Sequence, residues 1–237
     1  MRLNKLLLIT AIIFLAVFLF NAIAEPSAPT TINVGSNFTA NVSVGALLNT
    51  SGGIISTVTI NTSTINYKWK GFVGNITGTY GLLDSSLNSL FTWEIATLTG
   101  EVYATRNSSL INWANIGCMG NNILSYEQKE LNITDSDIDS INRTFSGTTH
   151  SQFYVGTTQI AQNTCRAVGL NVNNTIQSST FQEVLLTDGS NLVYTALIEN
   201  STYGFNGNFY DFQIIVAENA LEGYQASIPY YFYVELI

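Results

Sequence analysis

After an opening apolar run, residues 6–20, the hydrophobic positions of this chain recur with a period of two, in short runs punctuated by Gly, Asn, Asp and Ser. The pattern predicts strands over 32–44 and 54–65, broken by Ser51-Gly52-Gly53, and over 68–74 and 76–83, joined around Gly74-Asn75. A turn at Asp84-Ser85-Ser86 leads to a strand over 90–95, and 101–105 forms another. Strand-like pieces at 152–155 and 157–161 follow, and 183–187 with 192–199 reads as a hairpin around Asp188-Gly189-Ser190-Asn191. The last two runs alternate most clearly. Phe212, Ile214 and Val216 share one face of 211–216; in 229–237, Tyr230, Phe232, Val234 and Leu236 face one way and Tyr231, Tyr233 and Glu235 the other. Helical spacing is confined to 135–145, where Ile138, Ile141 and Phe145 recur behind a Thr134 N-cap, with Asp135 and Asp137 in the first turn. The fold class implied is mainly β, an antiparallel β-sandwich with one short accessory helix. Glycines at 71, 74, 78 and 81 mark bulges or close backbone approach within a sheet.

The opening run changes the picture of the N-terminus. Arg2 and Lys5 precede it and Ala22-Ile23-Ala24 follows, the layout of an export signal cleaved before Glu25. At about 15 residues the run is shorter than the roughly 20 a membrane-spanning helix needs, which favours a signal over a retained anchor and leaves no stable span after cleavage. The chain then divides into a signal, 1–24; an arm, 25–67; and a sandwich domain, 68–237. From Pro26 to Tyr67 no side chain is charged, and Pro26 and Pro29 keep the start extended. Two interpretations fit this zone: a pair of ordinary edge strands, or an extended arm that adds to a neighbouring subunit's sheet, since uncharged β-prone edges lack protection against strand addition.

Only 10% of residues are charged, against about 25% in ordinary soluble domains. Asn, Ser and Thr, 74 of 237 residues, supply the polar surface instead. Loss of Arg2 and Lys5 with the signal leaves six basic against sixteen acidic side chains, a net charge of −10. Scattered cations in an acidic chain argue against binding to nucleic acid or anionic membranes. In an exported protein Cys118 and Cys165 form one disulfide, stabilising the fold by roughly 3 to 4 kcal/mol. No metal or other cofactor is expected: two thiols do not complete a zinc site, and the single histidine, His150, bears no spacing motif to either.

The densest chemical signal is ten N-x-S/T acceptors, at Asn37, Asn41, Asn49, Asn61, Asn75, Asn107, Asn132, Asn142, Asn173 and Asn200. Composition accounts for part of this set; in an exported chain the rest points to surface glycosylation. Asp135-Ser136-Asp137-Ile138-Asp139 starts like a calcium loop, but Ser140 stands where glycine is needed and Ser146 where a bidentate Glu belongs, so helix capping explains the acids better. His150 lies near no nucleophile elbow, and no glycine cluster leads into Lys and a helix, so neither a serine hydrolase nor a phosphate-binding loop is indicated. Glu94, Glu101, Glu127 and Glu130 are the carboxylates from which a glycosidase pair could be drawn. Trp69, Trp93 and Trp113 are candidates for a sugar-stacking face, with core packing the competing role.

From Trp69 onward, the pattern W-x-G-x-x-G-N-x-T-G, followed by Asp84-Ser85-Ser86, Trp93, Gly100-Glu101-Val102-Tyr103-Ala104, Glu183-Val184-Leu185-Leu186 and the closing Tyr230-Tyr231-Phe232-Tyr233-Val234-Glu235-Leu236, resembles a group of uncharacterised exported archaeal surface proteins. The resemblance covers most of the chain apart from the uncharged arm. It implies an archaeal cell-surface or extracellular setting and carries over no activity, ligand or catalytic position. Residues and resemblance together lead to the expectation of a non-enzymatic secreted or cell-surface glycoprotein, an envelope, filament or adhesion component, whose partners are further copies or other envelope proteins met through the arm. An extracellular glycan- or peptide-binding module is the alternative, and a secreted hydrolase a weaker one.

Overall fold

The computed structural model describes residues 25–40, 47, 49, 51–60, 62–95, 97–221 and 227–237. The segment expected to be an export signal, 1–24, and the expected acceptors Asn41 and Asn61 lie outside the described residues. The strands are β1 Trp69–Gly74, β2 Tyr80–Leu83, β3 Ser89–Trp93, β4 Gly100–Thr105, β5 Gly117–Cys118, β6 Phe153–Val155, β7 Thr158–Ile160, β8 Ala167–Gly169, β9 Gln182–Thr187, β10 Leu192–Leu197, β11 Thr202–Tyr203, β12 Phe209–Tyr210, β13 Phe212–Ala217 and β14 Tyr231–Leu236. Two helices interrupt them, α1 Asn121–Glu130 and the single-turn α2 Ile141–Thr144. The protein is mainly β and its pairings are antiparallel, as the period-two pattern implies.

A six-stranded sheet ordered β14-β4-β10-β9-β5, with β8 also paired to β9, forms the main layer. It is apolar on both faces, because alternate residues enter different cores. Val102, Ala104, Leu185, Tyr194 and Ala196 pack with Ile214 and Val216 of the β1–β13 layer and with Leu124, Ile141 and Phe145 of the helical region. Tyr103, Val184, Leu186 and Val193 enter a second core with Ile111, Trp113, Ile116 and the β6–β7 hairpin. Burial on two sides makes β9 and β10 read as nearly continuous hydrophobic runs, and both are buried almost throughout. Two glycines permit close approach at the sheet ends. A Cβ on Gly78 would fall 2.2 Å from Leu236 Cδ1, and Gly100, at φ +134°, lies where a Cβ would meet the Glu235 carbonyl at 2.0 Å.

Three local expectations are corrected. The sequence predicts 68–74 and 76–83 as one hairpin, but β1 pairs with β13 and β2 with β3. Asp211 explains the separation: its N–H donates to the Gly74 carbonyl, and its Oδ2 accepts from Ile76 N at 2.8 Å, so the chain is tied to the far end of β13 as it leaves β1. Secondly, the expected helix over 135–145 contracts to α2, because Ser140, whose Oγ accepts from Arg143 N, is the N-cap that Thr134 was expected to be. Asp137 and Asp139 are turned instead onto Lys68 at 2.8 and 3.0 Å. The longer helix, α1, has little apolar periodicity and buries Glu127 and Gln128 beside Leu124. Thirdly, the described part of the arm forms no strand, only an isolated bridge between Ser27 and Val234. No helix among the described residues is long and apolar enough to cross a membrane.

Candidate functional site

Register brings together a pair of acids that sequence spacing does not reveal. β14 pairs with β4 so that Glu235 lies opposite Glu101 and Tyr233 opposite Tyr103, all on the face of the second core. Glu101 is 3% and Glu235 2% exposed. The Tyr103 hydroxyl donates to Glu235 Oε2 at 2.9 Å and stands 3.5 Å from Glu101 Oε2. Gly156 N, from the β6–β7 turn, donates to Glu235 Oε1 at 2.9 Å. Burial, reinforced by the facing Glu235 carboxylate and opposed by Tyr103, pushes Glu101 up to about 8. Burial also raises Glu235, against the stabilising bonds from Tyr103 and Gly156. Glu101 therefore holds a proton at neutral pH beneath the hairpin. Its burial separates it from any substrate, so the geometry suits an internal polar clamp between β4, β14 and β6–β7 rather than acid–base chemistry on a ligand.

The other candidate carboxylates do not join it. Glu127 makes a two-pronged ion pair with Arg106, Nε to Oε1 at 2.6 Å and Nη2 to Oε2 at 3.0 Å, beside a shallow depression also lined by Ile123, Tyr126 and Asn191. Glu94 and Glu130 are exposed. Glu183, fully buried between the layers, accepts from Ile215 N at 2.9 Å through one oxygen, and its other oxygen has no partner among the described residues; burial raises it well above the ordinary carboxylate range. Among the described residues no group of His, Cys, Asp and Glu forms a metal-binding cluster.

Cys118 and Cys165 are bonded, with Cα atoms 4.9 Å apart. The bond joins β5 to the residues entering β8, the two short strands that share the outer edge of β9. His150 supports the same junction. Its Nδ1–H donates to the Ser151 carbonyl at 2.8 Å, and Nε2 accepts from Thr164 N at 3.1 Å and Cys165 N at 3.0 Å. This is a buried, fully bonded histidine, and its ring presents no nitrogen to a substrate.

The three tryptophans do not form a common face. Trp113 is buried, its ring centroid 5.1 Å from that of Tyr103 and 5.3 Å from that of Tyr233. Trp69 packs against Phe145 and donates Nε1–H to the Asp139 carbonyl at 2.8 Å. Only Trp93 is exposed, and it belongs to a different group: it stands opposite Tyr80 across the β2–β3 ladder and 4.9 Å from Phe91. Sequence reasoning missed Tyr80 and Phe91; the alternation of Phe91 with Trp93 was the available signal. This hairpin exposes Leu82, Leu83, Leu87, Leu90 and Phe91, with Leu90 83% exposed. Its turn is well fixed, since Asp84 accepts from Ser86 N, Asn88 N and Asn88 Nδ2 at 2.8 to 2.9 Å. The arm adds Ile32, Val34, Phe38, Leu47, Ile54, Ile55, Val58 and Ile60, with Ile55 wholly exposed.

Of the glycosylation acceptors, Asn37, Asn49, Asn75, Asn132, Asn173 and Asn200 are exposed, and Asn107 and Asn142 partly buried. No protein-family model, curated protein or solved structure matches this chain.

Proposed function

We propose that the protein is a non-enzymatic, glycosylated component of a cell surface or extracellular structure, an envelope, filament or adhesion element that associates through its arm with copies of itself or with other envelope proteins. One observation supports this most strongly: an uncharged arm and a projecting hairpin expose a series of large apolar side chains that a lone soluble domain would bury. The six exposed acceptors are compatible with glycans at the surface, and an export signal would deliver the chain there. Intact mass and sedimentation of the native, purified protein test both parts. A mass above that of the polypeptide and concentration-dependent association are expected; an unmodified mass with a monomer at all concentrations overturns the reading.

A second reading rests on the exposed Tyr80, Phe91 and Trp93, whose rings could stack on an extracellular glycan or peptide. A glycan array probed with the protein and with Trp93→Ala distinguishes it, with Trp69→Ala as a packing control. Specific binding lost only in Trp93→Ala favours the module.

A further inference from the structure

Each sheet of the sandwich has two edges, and a row of free amides at an edge invites another strand. On the main sheet, the β9 side is occupied by β5 and β8, locked together by the disulfide. The β14 side carries the root of the arm: Ser27 N donates to the Val234 carbonyl at 3.1 Å and Val234 N to the Ser27 carbonyl at 2.9 Å. In the smaller layer, β13's outer edge is met by side chains. Glu183 accepts from Ile215 N at 2.9 Å, and the Tyr230 hydroxyl donates to the Ala217 carbonyl at 2.7 Å.

β1 differs. The Glu218 N–H donates to the Lys68 carbonyl, and with the register Trp69↔Ala217 this turns the even-numbered amides of β1 inward to β13. The amides of Trp69, Gly71 and Val73 therefore point outward, and they have no partner among the described residues. Nor does a charge guard this edge: Lys70 is drawn onto Glu218 at 2.7 Å and onto the Ile228 carbonyl. Below it, Phe72 is 37% exposed and leans on the partly buried Phe232 of β14, so two strands leave part of the six-stranded layer incompletely covered.

We propose that β1 accepts a strand from the arm of a second copy, residues 54–60, which completes the smaller layer. In that segment Ile54, Val58 and Ile60 alternate onto one face, suited to cover the Phe72–Phe232 seam, and no charge interrupts it. The copy's own arm is directed elsewhere. Immediately before β1, Asn66 Nδ2 donates to Asp139 Oδ2 at 2.9 Å and Lys68 pairs with Asp137 and Asp139, fixing the exit toward that loop. Donor and acceptor are different surfaces, so the contact is head-to-tail and extends into a chain of subunits.

The proposal rests on the assembly reading above, and the test separates the two. Gly71→Pro removes an outward N–H without touching the β1–β13 ladder, and a Cβ there meets nothing nearer than 3.8 Å. Thr57→Pro disables the donor. Light scattering over a concentration series should show wild-type multimers and monomers for each variant. An equimolar mixture of the two should form dimers and nothing larger, since only one donor–acceptor pair remains intact. Independently, oxidising a mixture of Gly71→Cys and Thr57→Cys copies, whose side chains share the face opposite Phe72, should give a disulfide-linked heterodimer, which keeps the question open to decision if a proline variant misfolds. Wild-type-like multimers of Gly71→Pro, or no cross-link, overturn the β1 assignment while leaving assembly standing; monomeric wild type at every concentration overturns both.

Discussion

Glu101 shows how a residue's role is set by its cross-strand partner. Opposite Glu235 and beside Tyr103, it lies where ionisation brings two like charges together in a dry interior. Glu101→Gln removes the charge and supplies an amide that can donate to Glu235. The variant is expected to match or exceed the native stability at pH 8 in urea unfolding, and a greater loss at pH 8 than at acid pH would contradict the clamp. Tyr103→Phe leaves the Glu235 oxygen short of a donor and should cost about 1–3 kcal/mol. His150→Ala deprives the Thr164 and Cys165 N–H groups, of which only the Cys165 donor is buried, of their acceptor, a loss of about 1–3 kcal/mol, readable in the same experiment. These roles were only partly legible. The bland assignment for His150, a bonded core residue, was available from the absence of any motif around it. The Glu101–Glu235 pair was not, because 134 positions separate the two acids and only the β4–β14 register joins them.

At the scale of elements, alternation located most strands and local adjacency misassigned their partners. β1, β4, β9, β10, β13 and β14 fall where the period-two runs lie, since each has to fit a pleated surface with an apolar face. The pairing of β1 with β13 depends on Asp211 reaching across to Gly74 and Ile76, and α1 depends on polar anchors, Arg106 to Glu127 and Gln128 to Asp135. Neither leaves a periodic trace. The disulfide was legible from the cysteine count and an expected export signal alone. Reduction frees a loop spanning 47 residues and should lower stability by about 4 kcal/mol, measured by unfolding with and without reductant. The β2–β3 hairpin behaves differently, since two strands exposed on both faces contribute little to either core. Replacing Leu82, Leu90 and Phe91 together by Ser should leave the melting temperature nearly unchanged while reducing binding of a hydrophobic dye. A fall of many degrees would show that the hairpin is part of the folded core.

Across the whole molecule the ionisable groups divide into two opposing sets, and their balance fixes where the fold is most stable. Burial raises Glu101 to about 8 and also raises Glu183, Glu199 and Glu235. Each of these binds its proton more tightly folded than unfolded, so its contribution is fully present below the unfolded carboxylate value and is lost as pH rises through the folded one. Asp139, held by Lys68 and Asn66, Asp188, held by Asn191 and neighbouring N–H groups, and Glu218, held by Lys70, are lowered despite some burial. Their contribution is present above the unfolded value and is lost in acid. The first set favours mild acid over neutral pH, and the second opposes unfolding until the pH drops below about 4. Stability should therefore pass through a maximum near pH 4 to 5, roughly the unfolded carboxylate range. The urea midpoint is expected to fall steadily from there to pH 8, with Glu101→Gln flattening the slope from about 4.5, the ordinary carboxyl value, up to about 8, the folded value of Glu101. A midpoint that climbs over that interval would mean that these acids are ionised in the folded protein, and the clamp between β4, β14 and the β6–β7 turn would then have to be held by water or counter-ions rather than by shared protons.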